Sequence, residues 1–401
     1  MKKITIKKFG PIDDSGDLNI TPVTIFCGRQ GSGKSTIAKL IATFSWLEKS
    51  LVKQSIKEKD ITTYNHFQNK FCGYQYLSNF FKNDSFLHYE GDAFSFTYEL
   101  GHLVISHKEH YKYVMPQIIY SPAERNFMTA IEQAEKIKRL PPALSAMQEE
   151  YIRALGAKNI DYNLPIKGFS IKYDKLNKTV WVTGNNYKVK IQEAASGIQS
   201  LTPLVMVTKY LSAKVNSKEQ SPLSVEEREK LQKQVNLILD NDKLSEELKN
   251  AALERLNQQY HNDCFWNIVE EPEQNLHPES QQGILNVLLA ERNRKEHNGL
   301  ILTTHSPYIL NDLSLAIKAQ QVKNIAASKH DILDRLDRIV PIDSCTEARL
   351  VSIFQINDGL VNKLDMCDDI PSDDNFLNKW MEDSNQKFDE LIGLEDEAKK
   401  Y

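Results

Sequence analysis

Gly28-Arg29-Gln30-Gly31-Ser32-Gly33-Lys34-Ser35-Thr36 follows the apolar, β-branched run Val23-Thr24-Ile25-Phe26-Cys27 and precedes Ile37, Leu40, Ile41 and Phe44 at helical spacing. Strand, glycine loop, helix is the context in which Gly-x4-Gly-Lys-Ser reads as a phosphate-binding loop. Such a loop turns its backbone N–H groups and the positive end of the following helix toward a β-phosphate, and its glycines let the chain approach without a Cβ clash. Lys34 is then expected to reach the β- and γ-phosphates of ATP, and the Ser35 hydroxyl to ligate Mg2+.

A loop of this kind needs an acidic partner at the end of another buried strand. Phe265-Trp266-Asn267-Ile268-Val269-Glu270-Glu271 supplies two adjacent carboxylates. Glu270 is expected to hold Mg2+ through its hydration shell, and Glu271 to take a proton from the attacking water. Most comparable strands carry Asp where this chain has Glu270. A separation of 237 residues between Lys34 and Glu271 leaves room for a large lobe between the two motifs.

That layout resembles the ATP-binding-cassette (ABC) ATPases and their SMC-like relatives. Ala195-Ser196-Gly197-Ile198-Gln199 is similar to the cassette signature, departing from it at the first and fourth positions, and the apolar helix Leu201 to Leu211 follows it. Pro272-Glu273-Gln274-Asn275-Leu276-His277-Pro278 resembles the Glu-Pro-Glu-x-x-Leu-His-Pro run of OLD-type ATPases, and Leu300-Ile301-Leu302-Thr303-Thr304-His305-Ser306-Pro307 looks like their switch-histidine strand. Pro122-Ala123-Glu124-Arg125 resembles a segment common in defence-associated ATPases of this kind. The resemblance runs from Met1 to about Leu313, and the chain is similar to the ATPase subunit of the PARIS or of the Septu antiphage system.

The resemblance implies an α/β fold: an ABC-type P-loop head with a β-rich lobe and an inserted helical hairpin. It also implies head dimers bridged by ATP, in which Ser196 and Gly197 of one copy close over the phosphates held by Lys34 of the other. His305 would donate to the γ-phosphate, and His277 would lie near the dimer seam. Arg125 would contact nucleotide or complete a neighbouring site, or else form a structural Arg–Glu pair. Gln117 is a weaker candidate for the loop that senses the γ-phosphate.

Along the chain, residues 1–208 read as the first part of the head, with Gly16 marking a turn and strands at Phe94-Phe96-Tyr98, Ile171-Tyr173 and Val180-Val182. Residues 131–155 read as a charged helical stretch interrupted at Pro141-Pro142. Residues 209–262 read as a helical hairpin, opened by a capping box at Ser224 to Glu227. Residues 263–350 complete the head, and 351–401 form an acidic C-terminal segment. From Val361 onward twelve acidic residues stand against five lysines, a net −7 within a whole-chain charge of −4, which leaves the preceding 360 residues at +3.

With 41% hydrophobic and 26% charged residues, the composition excludes collagen-like and wholly disordered chains. The longest near-apolar stretch, Leu201 to Val207, is far short of the roughly 20 residues of a membrane span. No apolar leader follows Met1, so a cytoplasmic protein with reduced cysteines is expected. The expected function is that of a sensor and regulatory ATPase in an antiphage complex. A separate effector, expected to be a Toprim-type nuclease, would act under its control, and a phage protein is a candidate trigger. An SMC-like DNA-repair ATPase that grips DNA directly is the alternative. The +3 body allows only weak phosphate contact, and no basic stripe is visible.

Overall fold

The computed structural model describes residues 2–131, 137, 139–157, 163–216, 225–241, 245–250, 253, 256 and 261–399. Its strands, in chain order, are β1 (Lys2–Phe9), β2 (Ile12–Ile20), β3 (Val23–Gly28), β4 (Phe81–Glu90), β5 (Phe94–Glu99), β6 (His102–His107), β7 (Pro116–Ser121), β8 (Ser170–Asp174), β9 (Thr179–Thr183), β10 (Lys188–Lys190), β11 (Cys264–Glu270), β12 (Gly299–Thr304), β13 (Val351–Asn357) and β14 (Leu360–Lys363). The longer helices are α1 (Lys34–Val52), α2 (Pro142–Gly156), α3 (Ser196–Asn216), α4 (Val225–Leu239), α5 (Pro278–Asn293), α6 (Pro307–Ile325) and α7 (Phe376–Lys399).

Eleven strands form one mixed sheet in the order β6-β5-β4-β1-β2-β14-β13-β3-β12-β11-β7, and β10-β9-β8 form a separate small sheet. The run β13-β3-β12-β11-β7 is parallel throughout. Its carboxyl ends therefore lie along one edge, where α/β sheets place their ligands. The strands β4 to β6 pair antiparallel and join β1, so the β-rich lobe continues the main sheet.

Strand periodicity of two sends alternate side chains to opposite faces. Val23, Ile25, Val269, Leu300, Leu302 and Ile353 pack with α2, α3, α5 and α6 in one core. Phe26, Ile268, Ile301, Phe354 and Ile356 pack with α1 and the antiparallel strands in the other. Phe94, Phe96 and Tyr98 alternate into this second core as the sequence suggests. Each side is a continuous apolar layer, which explains why α1 is buried along nearly all its length.

Several local readings change. Gly16 lies inside β2 at φ 57°, opposite a register shift in β1, so it marks a bulge; the reversal is at Gly10. Pro142 starts α2 as its first residue, where a missing N–H costs nothing, so the two prolines set a helix start and do not interrupt a helix. The first part of that stretch, 132–136 and 138, lies outside the described residues. So do Ser224 of the capping box and much of the stretch 242–260, while α4 is a helix within the segment expected to form the hairpin. The largest revision is β13: Val351–Asn357, at the head of the acidic segment, sits beside β3 in the centre of the sheet.

Candidate active site

The phosphate loop is shaped by its glycines. Gly28, Gly31 and Gly33 have φ of 149°, 75° and 108°, a region costly for side chains with a Cβ. A Cβ on Gly28 would lie 2.4 Å from the Ile356 carbonyl of β13, so the neighbouring strand also enforces glycine there. Arg29, Gln30 and Gly31 are exposed, whereas Lys34 and Thr36 are buried at the start of α1, with Ser35 half-buried between them. Lys34 Nζ donates to the carbonyls of Gly28 at 2.8 Å and Arg29 at 2.7 Å, spanning the loop from inside. Burial lowers its pKa, and the carboxylate of Glu271 opposes that effect most. Ser32 Oγ is buried without a hydrogen-bond partner, a polar atom that an incoming phosphate would satisfy.

The parallel registers Thr304 with Cys27, and Thr303 with Glu270, carry the ends of β11 and β12 to the mouth of this loop. Glu270 is buried, and its carboxylate accepts from the Tyr120 hydroxyl and, at 3.1 Å, from Ala123 N–H. Each oxygen keeps lone-pair capacity for water on a metal ion. Glu271 follows at φ 44°, a left-handed conformation rare for a residue with a side chain. Its N–H donates to Thr303 at 2.8 Å, and its side chain, freed from the strand, lies 3.6 Å from His305 Nδ1. The close approach of the His305 ring, then its charge, holds the Glu271 carboxyl below the usual range against the effect of burial. The same contact, reinforced by the charge of Glu273, raises His305 against the opposing effect of burial.

Glu273 is a site residue for which the sequence reading assigned no role. Its carboxylate is buried and accepts from Thr304 Oγ1 at 2.7 Å and from His305 N–H at 2.9 Å, and it lies 3.4 Å from His305 Nδ1. It orients the histidine from both backbone and ring. Its signal in the sequence was its place two residues beyond Glu271.

Arg125 lies in the core beneath the two carboxylates. It is 1% exposed, and its guanidinium donates to the carbonyls of Glu270 and Glu271, each at 2.6 Å, and more weakly to those of Pro122 and Ser200. Burial brings its pKa down to about 10, so it stays charged at neutral pH. Arg125 clamps the backbone carbonyls of Glu270 and Glu271 from within the core, the structural one of the two roles expected for it. Gln117 is likewise engaged elsewhere, accepting from Asn262 at 2.7 Å.

Ser196 and Gly197 stand at the start of α3, Ser196 exposed and Gly197 buried. A Cβ on Gly197 would meet the Asn275 carbonyl at 2.4 Å, so this helix start is packed on the run that follows Glu271. Ser200 Oγ donates to Gln274 at 3.0 Å and strengthens that packing. Pro203 lies inside α3 and cannot donate to the Gln199 carbonyl one turn earlier; Thr129 Oγ1 supplies that bond at 2.8 Å. His277 is exposed and caps α5, its ring nitrogen accepting from Glu279 N–H at 3.4 Å.

Lys34, Ser32, Glu271 and His305 thus meet at one edge of the sheet, with chemistry suited to a polyphosphate and a water. Residues 268–311, which include Glu270, Glu271 and His305, match the family described as "AAA domain, putative AbiEii toxin, Type IV TA system". No curated protein matches the chain. Among solved structures the chain is similar to the SMC head domain from Thermotoga maritima, at 10% identity and a TM-score of 0.37, over 91% of this chain and 98% of that one. It is also similar to the recombination mediator RecF, at 13% identity and 0.31, over 90% and 97%. A nucleotide-free cassette from an ABC transporter gives 12% identity and 0.28, over 92% and 94%. The fold is α/β, a large mixed sheet with helices packed on it. Among the described residues no helix is long and apolar enough to cross a membrane.

Proposed function

We propose that the chain binds and hydrolyses ATP as a dimerising head and acts as the sensor and regulatory subunit of an antiphage defence complex, controlling a separate nuclease effector. The supporting observation for the ATPase reading is the convergence of Lys34, Glu271 and His305 at the carboxyl ends of neighbouring parallel strands, although 237 residues separate the first two.

Lys34 exchanges its two carbonyl contacts for phosphate oxygens, a charge-assisted replacement of neutral bonds. Ser35 and Glu270 are the residues placed to hold Mg2+, which when bound supplies charge neutralisation on the phosphates. Glu271, kept ionised by His305, takes the proton of a water aligned with the terminal phosphate. The proton on His305, favoured by Glu271 and Glu273, is then available to the γ-phosphate. Exposed Ser196 at the α3 terminus reaches the phosphates of a second copy. Hydrolysis removes those cross-contacts, so nucleotide shifts an equilibrium between open and closed heads.

The defence assignment draws on the resemblance of the Pro272 to Pro278 run to OLD-type ATPases and on the description of the matched family. Affinity purification of the full chain from its host, with mass spectrometry of what accompanies it, tests this assignment; a nuclease should co-purify in ATP. A chain that turns over ATP yet stays monomeric with nucleotide bound would overturn the switch. Tight, salt-sensitive retention of duplex DNA on filters would favour the DNA-repair reading instead.

A further inference from the structure

A cavity of about 470 Å³ opens on the second face of the sheet between α1, the segment 70–75, β7 and α2, away from the phosphate loop. Its walls are Ala42, Trp46, Phe71, Tyr74, Tyr120 and Ala146, and Lys70 and Gln75 add polar groups. Trp46 and Phe71 lie with ring centroids 6.1 Å apart, and Lys70 Nζ stands 5.5 Å from the Phe71 ring. Trp46 and Tyr74 are each 47% exposed, large aromatic surfaces left open beside an apolar hollow. The volume falls within the roughly 300 to 1,000 Å³ of small-molecule sites, which are mostly apolar with a few polar groups that orient the ligand.

We propose that this cavity is a regulatory site for a flat aromatic ligand carrying an anionic group. Aromatic walls favour stacking of a planar ring, and exposed Lys70 supplies the complementary charge at the rim. A bound ring lies against Tyr120, whose hydroxyl donates to the Glu270 carboxylate. Tyr120 is almost fully buried, so a ligand that displaces its ring displaces the hydrogen bond on Glu270. The α1 residues Ala42 and Trp46 in the wall belong to the helix that begins at Lys34, so the cavity touches one element that leads to the phosphate loop and, through Tyr120, one residue that bonds Glu270. The effect on turnover rests on the ATPase reading above; binding does not, and the two fail separately.

The test uses 8-anilinonaphthalene-1-sulfonate, an aromatic sulfonate, with the full chain. Energy transfer from the four tryptophans to the probe should saturate at one equivalent, and Trp46→Phe should lower its amplitude by the largest share of any single Trp→Phe change. Ala146→Phe, which fills the cavity from a half-exposed helix position, should weaken binding about tenfold or more with an unchanged circular dichroism spectrum. Lys70→Glu, a surface change that leaves packing untouched, should weaken it about threefold, a factor within the range of exposed charge pairs. Probe binding unaffected by both substitutions would overturn the site. ATP turnover should shift with the probe in the parent chain and not in Ala146→Phe; binding that leaves parent turnover unmoved would overturn the link to Glu270.

Discussion

His305 Nδ1 lies 3.6 Å from Glu271 Oε1, a contact made because β11 and β12 run parallel and end one residue before each side chain. The pair joins the candidate base to the candidate hydrogen-bond donor for the γ-phosphate, and its charge state is therefore a readable property of the site.

His305 is raised from 6.5 first by the Glu271 contact, so its share of stabilisation is fully present below 6.5 and fades as pH rises through the raised value. Glu271 is lowered from 4.5, so its share is present above 4.5 and is lost as pH falls through the lowered value. The pair should stabilise the site most between these two ordinary values. In Glu271→Gln the His305 titration, followed by NMR of its ring Cε1–H, should move down and keep only the part due to Glu273. An unmoved curve would show that Glu271 does not hold the proton there.

Lys34→Ala and Glu271→Gln should separate binding from chemistry. Loss of a charge-assisted contact worth roughly 1.5 to 3 kcal/mol weakens ATP binding about 10- to 100-fold. Loss of a general base leaves binding intact and slows turnover about 10²- to 10⁴-fold. Calorimetric titration, turnover and light scattering of the ATP complexes check both, and Glu271→Gln should accumulate the closed dimer.

Arg125→Met should act on stability before anything else. The substitution removes a buried donor to Glu270 and Glu271, leaving carbonyls unpaired at a cost of roughly 2 to 5 kcal/mol. Urea unfolding at constant slope measures this. A variant as stable as the parent would restore the option of Arg125 working on nucleotide.

Gly197→Ala sets two effects against each other. Alanine favours a helix over glycine by about 1 kcal/mol, but its Cβ would sit 2.4 Å from the Asn275 carbonyl. Overpacking against backbone costs about 1 to 3 kcal/mol, so net destabilisation or displacement of the run after Glu271 is expected. Unfolding curves and ATP turnover report the two outcomes; a gain in stability would contradict the close approach.

Local patterns were legible because local sterics set them. The loop from Gly28 to Lys34 shows its positive-φ positions as glycines, and the alternation of Phe94, Phe96 and Tyr98 follows from strand pleat. Val351–Asn357 reads in the sequence as the start of the acidic C-terminal segment, whereas in the fold it is a strand of the main sheet. Its place beside β3 depends on a parallel pairing across more than 300 residues of chain, which no local period records. Pro203 was silent for a similar reason: the bond that makes it tolerable comes from Thr129, in another segment.

The sequence by itself determined the chemistry on offer: a glycine loop with Lys34 and Ser35, two carboxylates ending one apolar strand, and a histidine ending another. Residue type and spacing suffice for that, since each motif is a few consecutive residues governed by its own backbone. Only the tertiary structure decided which of these groups meet and what holds them. Tyr120 bonds Glu270, Glu273 seats His305, and Arg125 clamps the Glu270 and Glu271 carbonyls. Two of these partnerships link segments some 150 residues apart in the chain, and they form because the parallel sheet brings distant strand ends to one edge and shuts water out beneath it.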